Sequence, residues 1–235
     1  MSDFSTLELT QIITAIGGLG TAAFGLVDAA KSVFGFINRI GLKHINETMI
    51  ALTPDQTGAG LQPTPPNALP RENILATIKA NWVNGTDLAS QKAIAKSLVK
   101  LQLSAGNAAA LAAKTNVDAA TLIVVAEKTA AGTALLQPES DVYARFDLIL
   151  TALLDEAYQL SDQAYRNGTR TLAGVVAVLL AIFGGWALEG ARFWNWQDLA
   201  QAFLVGLLAT PLAPIAKDLS TALATAVNTM QLVKK

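Results

Sequence analysis

The chain has no cysteine, which excludes disulfides and thiolate metal sites and leaves the redox compartment open. Its one histidine, His44, is too few for a multi-histidine metal centre and falls in a linker-like stretch. Charge is scarce: 15% of the 235 residues are Asp, Glu, Lys or Arg, against about a quarter in an ordinary soluble domain. Neither sign prevails, since 17 basic residues stand against 18 acidic ones, so there is no electrostatic footprint for nucleic acid. No run alternates with period two, and no sheet is expected. Catalytic signatures are missing as well. The glycine cluster at 17–20 lacks the preceding strand and following lysine of a phosphate loop, and neither G-x-S-x-G nor H-E-x-x-H occurs. Asp155 and Glu156 are adjacent, so on a helix they point in different directions. The expectation is a non-enzymatic protein without cofactor or metal. No basic residue precedes the first apolar run, so a cleaved secretory signal is not expected either.

What the chain has instead is apolar length. Thr171 to Leu188 and Ala200 to Ala216 are two uncharged apolar segments, joined by a turn containing Trp194 and Trp196. As helices of ~1.5 Å rise per residue each spans ~26 Å, enough to approach the ~30 Å hydrocarbon core of a bilayer. Trp186, Trp194 and Trp196 gather at one end, where amphipathic rings anchor at an interface. Arg166, Arg170 and Lys217 flank the other end. By the positive-inside rule the arginine end is cytoplasmic. Pro211 and Pro214 lie inside the second segment and mark a helix kink, because each removes a backbone donor.

A third uncharged stretch, residues 9–27, is rich in glycine and threonine. Gly17 with Thr21, Gly18 with Ala22, and Thr21 with Gly25 are small-xxx-small pairs of the kind that let membrane helices approach closely. Its acidic residues Asp3 and Glu8 precede it and Lys31, Arg39 and Lys43 follow it, which again places the downstream side in the cytoplasm. Beyond it, Phe34, Ile37, Ile40 and Leu42 continue an apolar face suited to lying along the membrane surface.

The intervening chain divides by composition. Residues 46–70 contain the proline-rich stretch from Pro54 to Pro70 and read as a linker. Residues 71–137 read as a body of short helices. The first carries Ile74, Leu75, Ile78 and Trp82 and stops at Asn84-Gly85; Thr86 would cap the next, with Leu88, Ile94, Ala95, Leu98 and Leu101 on its apolar face. Ser104 and Asp118 would cap two more. Lys92, Lys96 and Lys100 form a stripe at four-residue spacing that offers contact with anionic headgroups or a partner. From Pro138 one helix of up to about fifty residues is expected, its seam running through Phe146, Ile149, Leu153, Ala157 and Leu160, then continuing into the apolar pair that closes residues 138–216. Residues 217–235 form a last amphipathic helix with Leu219, Leu223, Ala226 and Met230 on a narrow seam.

The expectation is therefore an all-α integral membrane protein with a membrane helix and interfacial extension in residues 1–45, a C-terminal helical hairpin, and a cytoplasmic helical bundle. Its partners would be the lipid bilayer, further copies of itself in a homo-oligomeric scaffold, and a soluble protein, but not nucleic acid. The alternatives are a pore, drawing on Pro211, Pro214 and the polar tail, and a membrane anchor subunit of a larger complex.

Overall fold

The computed structural model describes the backbone of residues 6–35, 37–54 and 69–233, and side-chain surroundings for residues 11–31, 33–35, 37–54, 69–216 and 218. Most of the proline-rich stretch, the side chain of Lys217 and those of Leu219, Leu223, Ala226 and Met230 lie outside the described residues. Every regular element among the described residues is helical. The chain forms two compact units, one from residues 38–165 and one from residues 1–37 with 166–235.

The first unit holds α2 (Leu42–Leu52), α3 (Arg71–Val83), α4 (Leu88–Gln102), α5 (Ala105–Thr115), α6 (Ala119–Ala130) and the first half of α7 (Gln137–Glu189). Local chemistry sets most of the boundaries. Gly85, at φ +70°, turns the chain after α3. Asp87 rather than Thr86 caps α4, its carboxylate accepting from the Ser90 N–H at 2.9 Å. The Thr86 carbonyl instead receives the Gln91 side chain at 2.5 Å. Asn107 Oδ1 accepts from the Ser104 N–H at 2.8 Å at the start of α5, and Asp118 caps α6 by accepting from the Thr121 N–H at 2.7 Å. Arg71 donates to the carbonyls of Thr53 and Ile50 at 2.8 and 3.1 Å, satisfying the open C-terminus of α2 as basic side chains commonly do.

The interior of this unit joins Ile45, Met49 and Leu52 of α2 to Ile78, Val99, Leu111 and Leu122 and to the α7 seam. Helix α2 therefore extends into residues that composition assigns to the linker, because Ile45, Met49 and Leu52 recur at helical spacing and are fully buried. Two seams differ from the expectation by about one position. On α7 the buried residues are Phe146, Leu150, Leu154, Ala157 and Tyr158, while Leu160 is exposed. On α4 they are Gln91, Ala95, Val99 and Gln102, while Leu101 points outward. Both helices carry apolar residues on more than one face, so spacing alone leaves the buried face undetermined.

The second unit contains α1 (Thr6–Val33), the rest of α7, a 3-10 turn at Gly190–Phe193 and α8 (Trp196–Val233). Helix α7 is a single helix of 53 residues whose two halves belong to different units. Gly190, at φ +60°, opens the turn. Asn195 closes it, with Oδ1 accepting from the Asp198 N–H at 3.0 Å.

Candidate functional site

Helix α1, the second half of α7 and α8 are each long and apolar enough to cross a membrane. Within their most apolar windows only 22%, 11% and 28% of the residues are buried. Leu179, Phe183, Leu188, Leu204 and Leu207 are all about half exposed or more. Such a continuous apolar surface is unfavourable in water and matches a lipid environment. These helices suggest a membrane protein.

The three helices meet through small residues. Ala23, Ala177 and Ala209 are fully buried at the centre, with Ile16, Leu19, Val176 and Leu180 packed around them. Gly20 faces the Ala209 carbonyl so closely that a Cβ at position 20 would overlap it, and a Cβ at Gly17 would lie 2.9 Å from the Leu212 carbonyl oxygen. Gly206 brings α8 onto the α7 backbone, where a Cβ would lie 2.7 Å from the Val178 nitrogen. In lipid, where water gives apolar surfaces no reason to associate, such close backbone approach is a main source of helix association.

The buried face of α1 is thus Gly17, Gly20, Ala23 and Val27. Of the expected packing residues only Gly17 belongs to it. Gly18, Thr21, Ala22 and Gly25 lie on the exposed side, and a Cβ at Gly18 or Gly25 would meet no described atom within 4 Å. The Thr21 hydroxyl donates back to the Gly17 carbonyl at 3.0 Å. Gly20, Gly206 and Ala209 are the contact residues that sequence reasoning missed; small residues run nearly all the way round α1, so no spacing there marks the buried face.

Trp186, Trp194 and Trp196 are all strongly exposed around the hairpin turn, and Phe193 stacks edge-on against Trp194 at 6.0 Å. Arg166 and Arg170 are exposed at the opposite end of the apolar part of α7. Pro211 and Pro214 both lie inside α8. Having no N–H, they leave the carbonyls of Leu207 and Thr210 without their usual helical donors.

In the other unit the lysine stripe of α4 faces carboxylates of α7. Lys92 reaches Asp155 at 2.5 Å, while Lys96 and Lys100 converge on Asp147 at 2.6 and 3.0 Å. The Lys100 ammonium also sits 5.0 Å from the centre of the Tyr143 ring. Burial pushes the Asp147 carboxyl up, but hydrogen bonds from Lys96 and Lys100 outweigh it and hold the group below its ordinary range. Burial likewise opposes the charge of Lys100, and the bond to Asp147 with the contribution of Tyr143 raises it above its ordinary value. The stripe thus has a structural partner inside the chain, 47 to 63 residues away in sequence. Among the described residues no three His, Asp or Glu side chains gather so as to hold a metal ion.

Comparison with protein-family models, with curated proteins and with solved structures finds no match to this chain.

Proposed function

We propose that the chain is a multi-pass membrane protein that associates with copies of itself and acts without catalysis, as a scaffold in the bilayer. Helices α1, the second half of α7 and α8 cross the membrane. The helical body of residues 38–165 and the C-terminus lie on the cytoplasmic side, where Arg166 and Arg170 flank the spans, and the tryptophan turn lies on the other. The observation that carries the reading is the two-sided character of α1. One small-residue face is used inside the chain against α8, and a second, formed by Gly18, Ala22 and Gly25, is exposed, with no described atom within 4 Å of a Cβ built at Gly18 or Gly25. A helix with a spare close-approach face in lipid has a reason to bind another helix.

The test is the mass of the full chain extracted in mild detergent, corrected for bound detergent, followed by imaging of the same particles. A discrete oligomer is expected, and Gly18→Leu should reduce it to single chains. A wild-type protein that stays monomeric at every concentration refutes self-association. An assembly with a central opening would direct the next assay to ion flux.

A further inference from the structure

A groove of about 410 Å³ lies between the apolar part of α7 and α8. Its lining is graded. Arg170 stands at one end, exposed, and among the described residues no carboxylate pairs with it or lines the groove. One helical turn further on, Gly174 faces Thr210, where a Cβ would lie 3.7 Å from the Thr210 hydroxyl oxygen. Beyond them the walls are wholly apolar, with Leu179, Phe203 and Leu207 about half exposed. From Arg170 to Leu179 the groove follows α7 for ~14 Å.

Thr210 is the unusual group. A threonine within a helix ordinarily donates its hydroxyl to the carbonyl four residues earlier. Here the hydroxyl oxygen is buried and has no hydrogen-bond partner among the described residues. Its own carbonyl also lacks a helical donor because residue 214 is proline. The hydroxyl is enclosed between α7 and α8 beside Gly174 and is not open to the groove, so past Arg170 the surface offered to a ligand is apolar.

Cation, then hydrocarbon is the order of groups that complements a phospholipid read from headgroup to chain. We propose that the groove binds one phospholipid with an anionic headgroup. The phosphate rests on Arg170 and one acyl chain lies along Leu179, Phe203 and Leu207. The proposal rests on the reading that α7 and α8 cross a bilayer. Arg170 lies at the end of the span where lipid headgroups would be met, which a helix of a second chain would not match with a phosphate.

The experiment uses the full chain in two stages. Flotation with phosphatidylcholine vesicles and with phosphatidylglycerol vesicles tests insertion itself; failure to float with either overturns the membrane reading and this inference with it. For protein that inserts, lipid retained after delipidation and re-addition is counted by native mass spectrometry, with phosphatidylglycerol and phosphatidylcholine of matched chains as probes. One phosphatidylglycerol should be retained in preference. Arg170→Gln should weaken it about fivefold, the scale of one basic residue near a membrane surface, whereas Arg166→Gln, outside the groove, should not. Gly174→Leu should fill the groove and abolish retention. Equal retention of the two lipids overturns the proposal, as does an equal effect of the two arginine variants. Unaltered lipid retention in Gly174→Leu accompanied by loss of an oligomer would assign the groove to a second chain and overturn it too.

Discussion

Replacing Gly20 by leucine should separate α1 from α8, whereas the same change at Gly18, two positions earlier, should leave the single chain folded. A Cβ at position 20 would lie 2.6 Å from the Ala209 carbonyl carbon and 3.1 Å from the Ala213 Cβ. Carbon atoms settle at ~3.5–4.0 Å, so the helices must part by roughly 1 Å, and a gap of that size forfeits a quarter to a half of each dispersion contact along the seam. Even alanine there should cost about 1–3 kcal/mol in overpacking, offset by up to about 1 kcal/mol of helix propensity. Leucine, with three further carbons and a backbone carbonyl in its way, should exceed the alanine cost. A Cβ at Gly18 would meet no described atom within 4 Å, so leucine starts from open space among the described residues. The assay is thermal unfolding in mild detergent, followed by circular dichroism, at a protein concentration where mass shows single chains. A Gly20→Leu protein that melts with the parent, or a Gly18→Leu protein that melts well below it, would refute the assignment of the two faces of α1.

Three further outcomes are expected. Asp147→Asn should destabilise the unit of residues 38–165 by roughly 1–2 kcal/mol, since Lys96 and Lys100 both lose a charged acceptor. Because the folded-state pKa of Asp147 is lowered, its contribution is present above the ordinary carboxylate value and is lost as pH falls below about 4; melting curves from neutral to acid pH should therefore fall less steeply for the variant, and parallel slopes would contradict the pairing. Phe146→Ala empties a fully buried position and should cost about 3–5 kcal/mol, read as a lower midpoint in denaturant. In a chain free of native thiols, Gln197→Cys at the hairpin turn and Glu127→Cys on α6, both exposed, should react with an impermeant maleimide from opposite sides of sealed membranes; labelling from one side only would overturn the proposed sidedness.

The helical character, the three apolar lengths and several boundaries were legible from residue order, because each depends on local chemistry. Thr171 to Leu188 is apolar whatever it packs against. Asp118 caps the helix that follows it through a hydrogen bond three residues away, and the long helix from Gln137 is continuous because nothing between Pro138 and Glu189 breaks it. Which face of each helix is buried was decided elsewhere. On α1, small residues at 17, 18, 20, 21, 22, 23 and 25 run nearly all the way round, so the period of the helix selects no side. Only the Ala209 backbone lying against Gly20 does so. The lysine stripe shows the same division. Its four-residue spacing is written in α4, but Asp147 and Asp155 come opposite it only when α7 folds back beside α4. The groove at Arg170 and Thr210 joins residues forty positions apart that have no shared motif. Local sequence determines what a helix can bury, but the partner helix determines which of those residues it does bury, because packing is settled by the surface that arrives from elsewhere in the chain.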